Sequence, residues 1–276
     1  LTVAMEELSK NLPLILGPDF AVIKATSNTM EKMKGKEDIL RGKNVLPPTP
    51  PKDRNQEIRV PFLFSLSSCR YRSGFQPLKK KLKTFLAIFD AAGEDFNVLT
   101  EADSLTQIPQ AQGLIMFIDP MSFPGFAKSI GKERVSKQLP EQIMDVFYNT
   151  YVRQQEGKMR QGDKIKIPTA FILGKADLFP TYYSDVPEIM NLPVHKGGVD
   201  LQALERSSAA AREVVGELGG DGLIASIQYG FADYKFFVVH SGKEDAARKN
   251  WQTSPFGVLD PLLWILYEND RLPPKD

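Results

Sequence analysis

Short runs of apolar residues predict five β-strands along this chain. Each run is bounded by charged or turn-forming residues, as strands in folded proteins usually are. The five runs are residues 60–68, 84–89, 114–118, 167–173 and 236–239. The last three are apolar on both faces, which is typical of parallel strands that helices cover on both sides. The first two are separated by a short connection, so we predict that they pair in antiparallel orientation.

Apolar residues at helical spacing predict five helices among these strands. The segments are 1–10, 26–41, 140–155, 200–218 and 259–267. We expect the first helix to stop at Pro13, because proline lacks the N–H that would continue the hydrogen-bond ladder. Strands that alternate with helices predict an α/β fold, with a mostly parallel sheet flanked by helices. In such folds ligands bind beyond the carboxyl ends of the strands.

Composition narrows the possible functions. The chain has 276 residues, of which 42% are hydrophobic, so we expect a single domain with insertions near 120–165 and 180–230. Its 35 Lys and Arg residues balance 34 Asp and Glu residues, which argues against nucleic acid as a partner. No apolar run approaches the roughly 18 residues of a membrane span. The single cysteine, Cys69, excludes an internal disulfide and favours a reducing, cytoplasmic location.

The first candidate site is the turn Asp90-Ala91-Ala92-Gly93-Glu94, which directly follows the apolar run 84–89. An aspartate at the end of a strand can hold Mg²⁺ through water. Gly93 has no side chain, so its backbone N–H can approach a phosphate oxygen. The same tetrapeptide pattern occurs in ordinary turns, because Asp and Gly favour turns for local backbone reasons. The turn therefore predicts a phosphate site only in combination with other motifs.

The second candidate site is Lys175-Ala176-Asp177, which follows Gly174 and the apolar run 167–173. The aliphatic stem of Lys175 can pack over a purine ring, while the Asp177 carboxylate accepts hydrogen bonds from guanine N1–H and the N2 amino group. Adenine lacks this pair of donors on one edge, so a carboxylate deprived of them rejects adenine. The alternative interpretation is a solvated turn with a surface ion pair.

Taken in order along the chain, these motifs resemble the Ras-like GTPase domain of the P-loop NTPases. The resemblance covers most of the chain and is closest to bacterial double-GTPase-type domains. The matching segments are L-P-P-T at 46–49, D-A-A-G-E at 90–94, K-A-D-L at 175–178 and G-V-L-D-P-L-L-W at 257–264. The resemblance implies a Ras-like fold with GTP or GDP and Mg²⁺ as its ligands.

The resemblance also implies a metal and phosphate site. Asp90 and Thr49 would hold Mg²⁺, and Gly93 would donate its N–H to the γ-phosphate. Glu94 stands where small GTPases carry a glutamine that orients the attacking water. A carboxylate beside the γ-phosphate is electrostatically unfavourable, so we expect Glu94 to support only slow hydrolysis of GTP.

A guanine site is implied at Lys175 and Asp177, with the backbone N–H of Ser241 meeting guanine O6 in a short turn after the last strand. Gly174 departs from the family pattern, which has Asn or Thr at this position to brace neighbouring loops. Protein effectors are expected on the inserted segments, around Phe123–Ile130 and Tyr182–Val199.

The largest departure from the family is the missing phosphate loop, because no G-x-x-x-x-G-K-[S/T] sequence occurs in the 276 residues. We expect the first strand and this loop to lie upstream of Leu1, so that the chain is an N-terminally truncated domain that binds nucleotide weakly. The alternative is a pseudo-GTPase that serves as an interaction scaffold. An adenine-specific ATPase is a third possibility, which the acceptors of Lys175-x-Asp177 disfavour.

Three other polar residues are predicted to be structural or supporting. His195 and His240 are far apart and lack Cys or acidic neighbours at ligand spacing, so we expect structural roles rather than a metal site. Asp119 follows the apolar run 114–118 as Asp90 follows its own strand. For Asp119 we expect helix initiation or a supporting role at the site.

Overall fold

The computed structural model describes residues 2–17, 20–40, 61–69, 81–89, 108–131, 139–155, 157–245 and 250–275. Within these residues the strands are β1 Val22–Lys24, β2 Phe62–Cys69, β3 Lys81–Ile88, β4 Leu114–Ile118, β5 Thr169–Leu173, β6 Tyr234–Val238, β7 His240–Asp245 and β8 Asn250–Phe256. The α-helices are α1 Thr2–Leu16, α2 Ser27–Leu40, α3 Pro124–Ser129, α4 Pro140–Gln154, α5 Pro187–Met190, α6 Leu201–Glu217, α7 Asp221–Gly230 and α8 Asp260–Glu268.

Two compact units make up the chain. One contains Leu1–Asp90, Val194–Leu201 and His240–Asp276, and the other contains Ala91–Pro193 and Gln202–Val239. We call them the antiparallel unit and the parallel unit, after the sheets that they carry, and describe each by itself.

A three-stranded parallel sheet in the order β4-β5-β6 forms the centre of the parallel unit. Its register pairs Ile118 with Leu173 and Leu173 with Val238, so the three strands end together. Every residue of β5 is buried, as expected for a central strand of branched and aromatic residues that is covered on both faces. The predicted α/β fold class is confirmed at this level, as a parallel sheet flanked by helices.

Helices of the parallel unit pack on this sheet through aromatic rings and one buried hydroxyl. Phe231, directly after α7, stacks on Phe147 of α4 at 6.0 Å between ring centroids and meets Phe171 of β5 edge-on at 5.1 Å. From α6, the Ser208 hydroxyl accepts a hydrogen bond of 2.9 Å from the backbone N–H of Phe236 in β6. These contacts hold the helices against the strands, and the carboxyl ends of the strands lead into loops.

In the antiparallel unit, β1, β2 and β3 form one sheet and β7 and β8 form a separate hairpin. Strands β2 and β3 pair in antiparallel orientation, as predicted, with Phe62 opposite Ile88 and Cys69 opposite Lys81. β1 was not predicted, because three residues are too few to show an alternating pattern. β1 pairs with β2 in antiparallel orientation, with Ile23 opposite Ser65.

Helix α1 continues through Pro13 to Leu16, so the predicted stop before Pro13 is wrong. A proline inside a helix removes one backbone hydrogen bond, but side chains on both sides of it can still be held by packing. Leu8, Leu12 and Ile15 are all buried and provide that packing. The helix ends at Gly17, whose N–H donates to the Pro13 carbonyl at 2.9 Å and whose φ of +115° favours glycine.

The C-terminal residues of the antiparallel unit pair with the segment that precedes α6. The Val199 N–H donates to the Pro273 carbonyl, and the Lys275 N–H donates to the Val199 carbonyl, each at 2.8 Å. No helix in the described part of the chain has the length and apolarity needed to cross a bilayer.

Candidate functional site

The carboxyl ends of β4 and β5 bring three charged side chains together in the parallel unit. Asp119 follows β4, and Lys175 lies two residues after the end of β5. Asp177 lies in the short 3₁₀ helix Ala176–Leu178, which Lys175 precedes. Lys175 and Asp177 are exposed, and Asp119 is partly exposed. The fold thus places Lys175 and Asp177, the residues of the predicted guanine site, at the solvent-accessible carboxyl end of β5.

Lys175 adopts the left-handed conformation, with a φ of 53°. Among the described residues only Asp270 shares a positive φ without being a glycine. A side chain in this region costs about 1 kcal/mol relative to glycine, and such residues are enriched at functional sites. The turn is closed by the Leu178 N–H, which donates to the Lys175 carbonyl at 2.9 Å.

An ion pair of 2.6 Å joins the Lys175 ammonium to the Oδ2 atom of Asp119. The other oxygen, Oδ1, accepts a hydrogen bond of 3.0 Å from the Met121 N–H and caps the short helix Pro120–Ser122. The prediction that Asp119 initiates a helix is therefore confirmed. Because each oxygen of the Asp119 carboxylate has its own partner, the two contacts together fix the orientation of the group.

Backbone hydrogen bonds tie this turn to all three strands of the sheet. The Gly174 N–H donates to the Ile118 carbonyl at 3.2 Å, and the Ala176 N–H donates to the Val239 carbonyl at 3.3 Å. The Ala176 carbonyl in turn accepts from the hydroxyl of Tyr183 at 3.0 Å. A turn held at so many points keeps its side chains near one geometry, as a binding site requires.

Tyr183 lies beneath the turn, and its ring meets that of Phe179 at 5.6 Å between centroids. Burial raises the pKa of the Tyr183 hydroxyl, and the negative charge of Asp177 raises it further. The hydroxyl therefore stays protonated at neutral pH and serves as a hydrogen-bond donor to the turn. The Asp177 carboxylate, which is close enough to affect it, faces solvent.

At Gly174 the backbone does not require glycine. An added Cβ would lie 3.9 Å from the Cδ1 atom of Phe117 and 4.0 Å from the Ile118 carbonyl oxygen, which are ordinary van der Waals distances. Both the backbone conformation and the surrounding space therefore admit a Cβ atom at position 174.

The remaining predicted site residues are not brought to this edge by any described contact. Thr49, Asp90, Gly93 and Glu94 lie outside the residues that the structure describes. Ser241 lies in β7, in the antiparallel unit, where the sequence predicts a turn. The pairing of β7 with β8 is irregular between His240 and Gly242, on either side of Ser241. In the described part of the chain, no cluster of three or more His, Cys, Asp or Glu side chains is placed to hold a metal ion.

A second acid–base pair lies in the antiparallel unit and is buried. His195 Nε2 lies 3.1 Å from Oδ1 of Asp260, and His195 Nδ1 accepts a hydrogen bond of 3.1 Å from the Asp200 N–H. Because Nδ1 is an acceptor, the ring carries its proton on Nε2 and donates it to Asp260. His240 stacks on Phe256 at 5.7 Å. These contacts hold both histidine rings within the fold, and sequence alone did not identify Asp260 as the partner of His195; that neither histidine binds a metal stays a prediction.

Comparison with known proteins gives no match: no family model, no curated protein and no solved structure is significantly similar to this chain. We therefore infer its function from the geometry above and from the sequence motifs.

Proposed function

We propose that this chain is a guanine-nucleotide-binding α/β domain that takes the base at the carboxyl end of β5. With GTP and Mg²⁺ bound, we propose that it acts as a switch that hydrolyses GTP slowly. One observation carries the proposal: Lys175, in a left-handed conformation, and the exposed Asp177 stand on a rigid turn after a fully buried parallel strand.

The chemistry of this turn suits a purine with donors on its Watson–Crick edge. The Asp177 carboxylate has two acceptor oxygens and faces solvent, so it can accept from guanine N1–H and the N2 amino group together. The exposed stem of Lys175 can cover one face of the ring. Strain at Lys175 is consistent with a side chain kept for its function rather than for stability.

The hydrolytic part of the proposal depends on the sequence motifs. Asp90 and Thr49 would hold Mg²⁺, which would neutralise charge on the phosphates, and Gly93 would contact the γ-phosphate. Glu94 would orient water poorly beside that charge, so hydrolysis would be slow. A single-turnover assay on a protein that includes the phosphate loop tests this part, and rapid unassisted hydrolysis would contradict it.

The base site is tested by exchanging the hydrogen-bonding pattern of one side chain. D177N replaces a carboxylate that only accepts by an amide that accepts and donates. Guanosine should then bind about 10- to 100-fold more weakly, since hydrogen bonds to a charged group are worth about 1.5–3 kcal/mol. Xanthosine, which has an acceptor at C2 where guanosine has a donor, should gain affinity. Binding of each nucleoside can be followed by titration calorimetry or NMR.

A matched control is D185N, because Asp185 is also an exposed aspartate of the loop after β5. This variant should bind guanosine as the wild type does. The proposal fails if D177N and D185N bind guanosine equally well, or if adenosine competes with guanosine on equal terms.

The scaffold hypothesis has one observation in its favour. Met190 and Leu192 are exposed apolar residues of the parallel unit, in the segment that was predicted to meet an effector. Exposed apolar clusters often mark protein contacts. If the wild-type chain binds none of the guanine compounds in the titrations above, the scaffold becomes the better explanation for this fold.

A further inference from the structure

The three charged side chains at the carboxyl ends of β4 and β5 carry more negative than positive charge. Lys175 contributes one ammonium group, while Asp119 and Asp177 contribute two carboxylates. Lys175 is already paired with Asp119 at 2.6 Å, the length of a strong charge-assisted hydrogen bond. The positive charge of Lys175 is therefore already engaged by a carboxylate.

We propose that Asp119 is a positioning residue that holds Lys175 for an uncharged ring and keeps phosphate away from this edge. A nucleotide would then bind here in one orientation, with its base at the turn and its phosphates pointing elsewhere. The identity of the base depends on the proposed function above, whereas the exclusion of phosphate depends only on the charges and contacts of the turn.

The geometry of Asp119 supports this role. Its Oδ1 atom is anchored by the Met121 N–H at 3.0 Å, so Oδ2 is directed at the Lys175 ammonium and the carboxylate cannot easily turn away. A phosphate that approached Lys175 would have to displace this anchored carboxylate, which carries the same sign of charge. It would also meet the repulsion of Asp177 two residues further on.

A neutral heterocycle faces no such competition. It needs the stem of Lys175 and the acceptors of Asp177, and it leaves the ion pair intact. Holding the ammonium at Asp119 also restricts the lysine side chain before a ligand arrives, which lowers the entropic cost of using its stem as a surface.

The test uses D119N, which keeps an oxygen to accept from the Met121 N–H but removes the negative charge. Guanosine, GTP and inorganic tripolyphosphate are titrated into the full chain at low salt with EDTA, so that no metal ion bridges phosphate to other residues. For the wild type we expect guanosine and GTP affinities within about threefold of each other, and no binding of tripolyphosphate. In D119N the GTP-to-guanosine affinity ratio should rise about fivefold, as expected for one exposed ion pair.

Salt and two further variants separate charge from structure. The gain in D119N should disappear at high salt, where exposed charges are screened. D119E keeps the charge and should exclude phosphate as the wild type does. D163N is the matched control, because Asp163 also accepts a backbone N–H, from Arg160 at 2.8 Å, and this variant should leave the ratio unchanged.

The proposal is overturned if wild-type protein binds GTP more than about tenfold tighter than guanosine without metal, or if D119N leaves both the ratio and tripolyphosphate binding unchanged. If guanosine binds no variant, the guanine proposal fails by itself. Tripolyphosphate then still tests whether Asp119 excludes phosphate. Binding to D119N, but not to D119E or the wild type, supports exclusion, and equal tripolyphosphate binding by the three proteins contradicts it.

Discussion

The Lys175–Asp119 pair of the parallel unit and the His195–Asp260 pair of the antiparallel unit differ chiefly in their exposure to water. In the Lys175–Asp119 pair the side chains are 54% and 35% exposed, whereas in the His195–Asp260 pair they are 5% and 9% exposed. Water and salt can compete for the first pair, so its contribution to stability is small. The aliphatic stem of Lys175 remains open to a ligand, while its ammonium is paired with Asp119. The second pair is buried, so its expected effect is on stability.

The buried pair connects two parts of the antiparallel unit that are distant in sequence. His195 links the segment before α6 to Asp260 in the first turn of α8, and Val199 in the same segment pairs with the C-terminal residues. Removal of one partner from such a pair leaves the other buried without compensation, which is far more costly than the loss of an exposed pair. We therefore expect substitutions to change stability at the buried pair and ligand binding at the exposed pair.

The largest effect is expected for H195A. Asp260 would lose its buried hydrogen-bond donor, and the Asp200 N–H would lose its acceptor, so the free energy of unfolding should fall by about 3 kcal/mol. Urea unfolding followed by tryptophan fluorescence measures this well, because Trp251 and Trp264 both belong to the antiparallel unit.

K275A provides the comparison for H195A within the same unit. It removes the more exposed ion pair of 3.0 Å between Lys275 and Asp200, so it should cost at most about 1 kcal/mol. A loss in H195A no larger than that in K275A would contradict the distinction between buried and exposed pairs.

The next effect is the pH dependence of D260N. Burial raises the pKa of the Asp260 carboxyl above its ordinary value of 3.8, and the hydrogen bond from His195 opposes the rise. Because this pKa is higher in the folded than in the unfolded state, protonation of Asp260 stabilises the fold. The stabilisation is fully present below about pH 3.8 and is lost as pH rises through the folded-state pKa. The amide of the D260N variant does not ionise, so this variant avoids the loss.

The stability of D260N relative to wild type should therefore increase as pH rises from about 4, and the variant should be the more stable protein at pH 8. The carbonyl oxygen of the introduced amide can still accept from His195 Nε2–H, so the hydrogen bond is retained. Unfolding curves of both proteins across this pH range give the difference. A constant difference, or one that favours wild type at high pH, would show that the buried carboxylate is not the source.

Sequence alone located the strands of the parallel sheet well, because their signal is local. The expectation that β4 is covered on both faces was wrong, since Ile115 and Phe117 are exposed. The run Leu114–Ile118 matches β4 residue for residue, and the apolar run that ends at Leu173 matches the end of β5. The hairpin of β7 and β8 was missed because its residues are largely polar and do not alternate. Helix α7 was missed because it follows α6 after a short Gly-containing turn and has glycine within its own first turn.

The candidate site was predicted in part. Lys175 and Asp177 are neighbours in sequence, so a short motif could indicate them. Asp119 is 56 positions from Lys175, and Asp260 is 65 positions from His195, so no local pattern reveals either contact. For Asp119 a usable signal existed, since residues that follow parallel strands meet at one edge of a sheet. For Asp260 there was none. The metal and phosphate roles of Thr49, Asp90, Gly93 and Glu94 stay predictions.

The smallest stability effect, and the sharpest separation of stability from binding, is expected for K175G. Glycine adopts a φ of 53° without the cost of a side chain, while the exposed pair with Asp119 is lost. These changes oppose each other, so the free energy of unfolding of K175G should lie within about 1 kcal/mol of that of wild type. The variant should nevertheless bind guanosine much more weakly. K175A loses the same pair and keeps the unfavourable conformation, so it should be about 1 kcal/mol less stable than K175G. Equal stability of K175A and K175G would mean that the left-handed turn relaxes, and unchanged guanosine binding in both would remove Lys175 from the site.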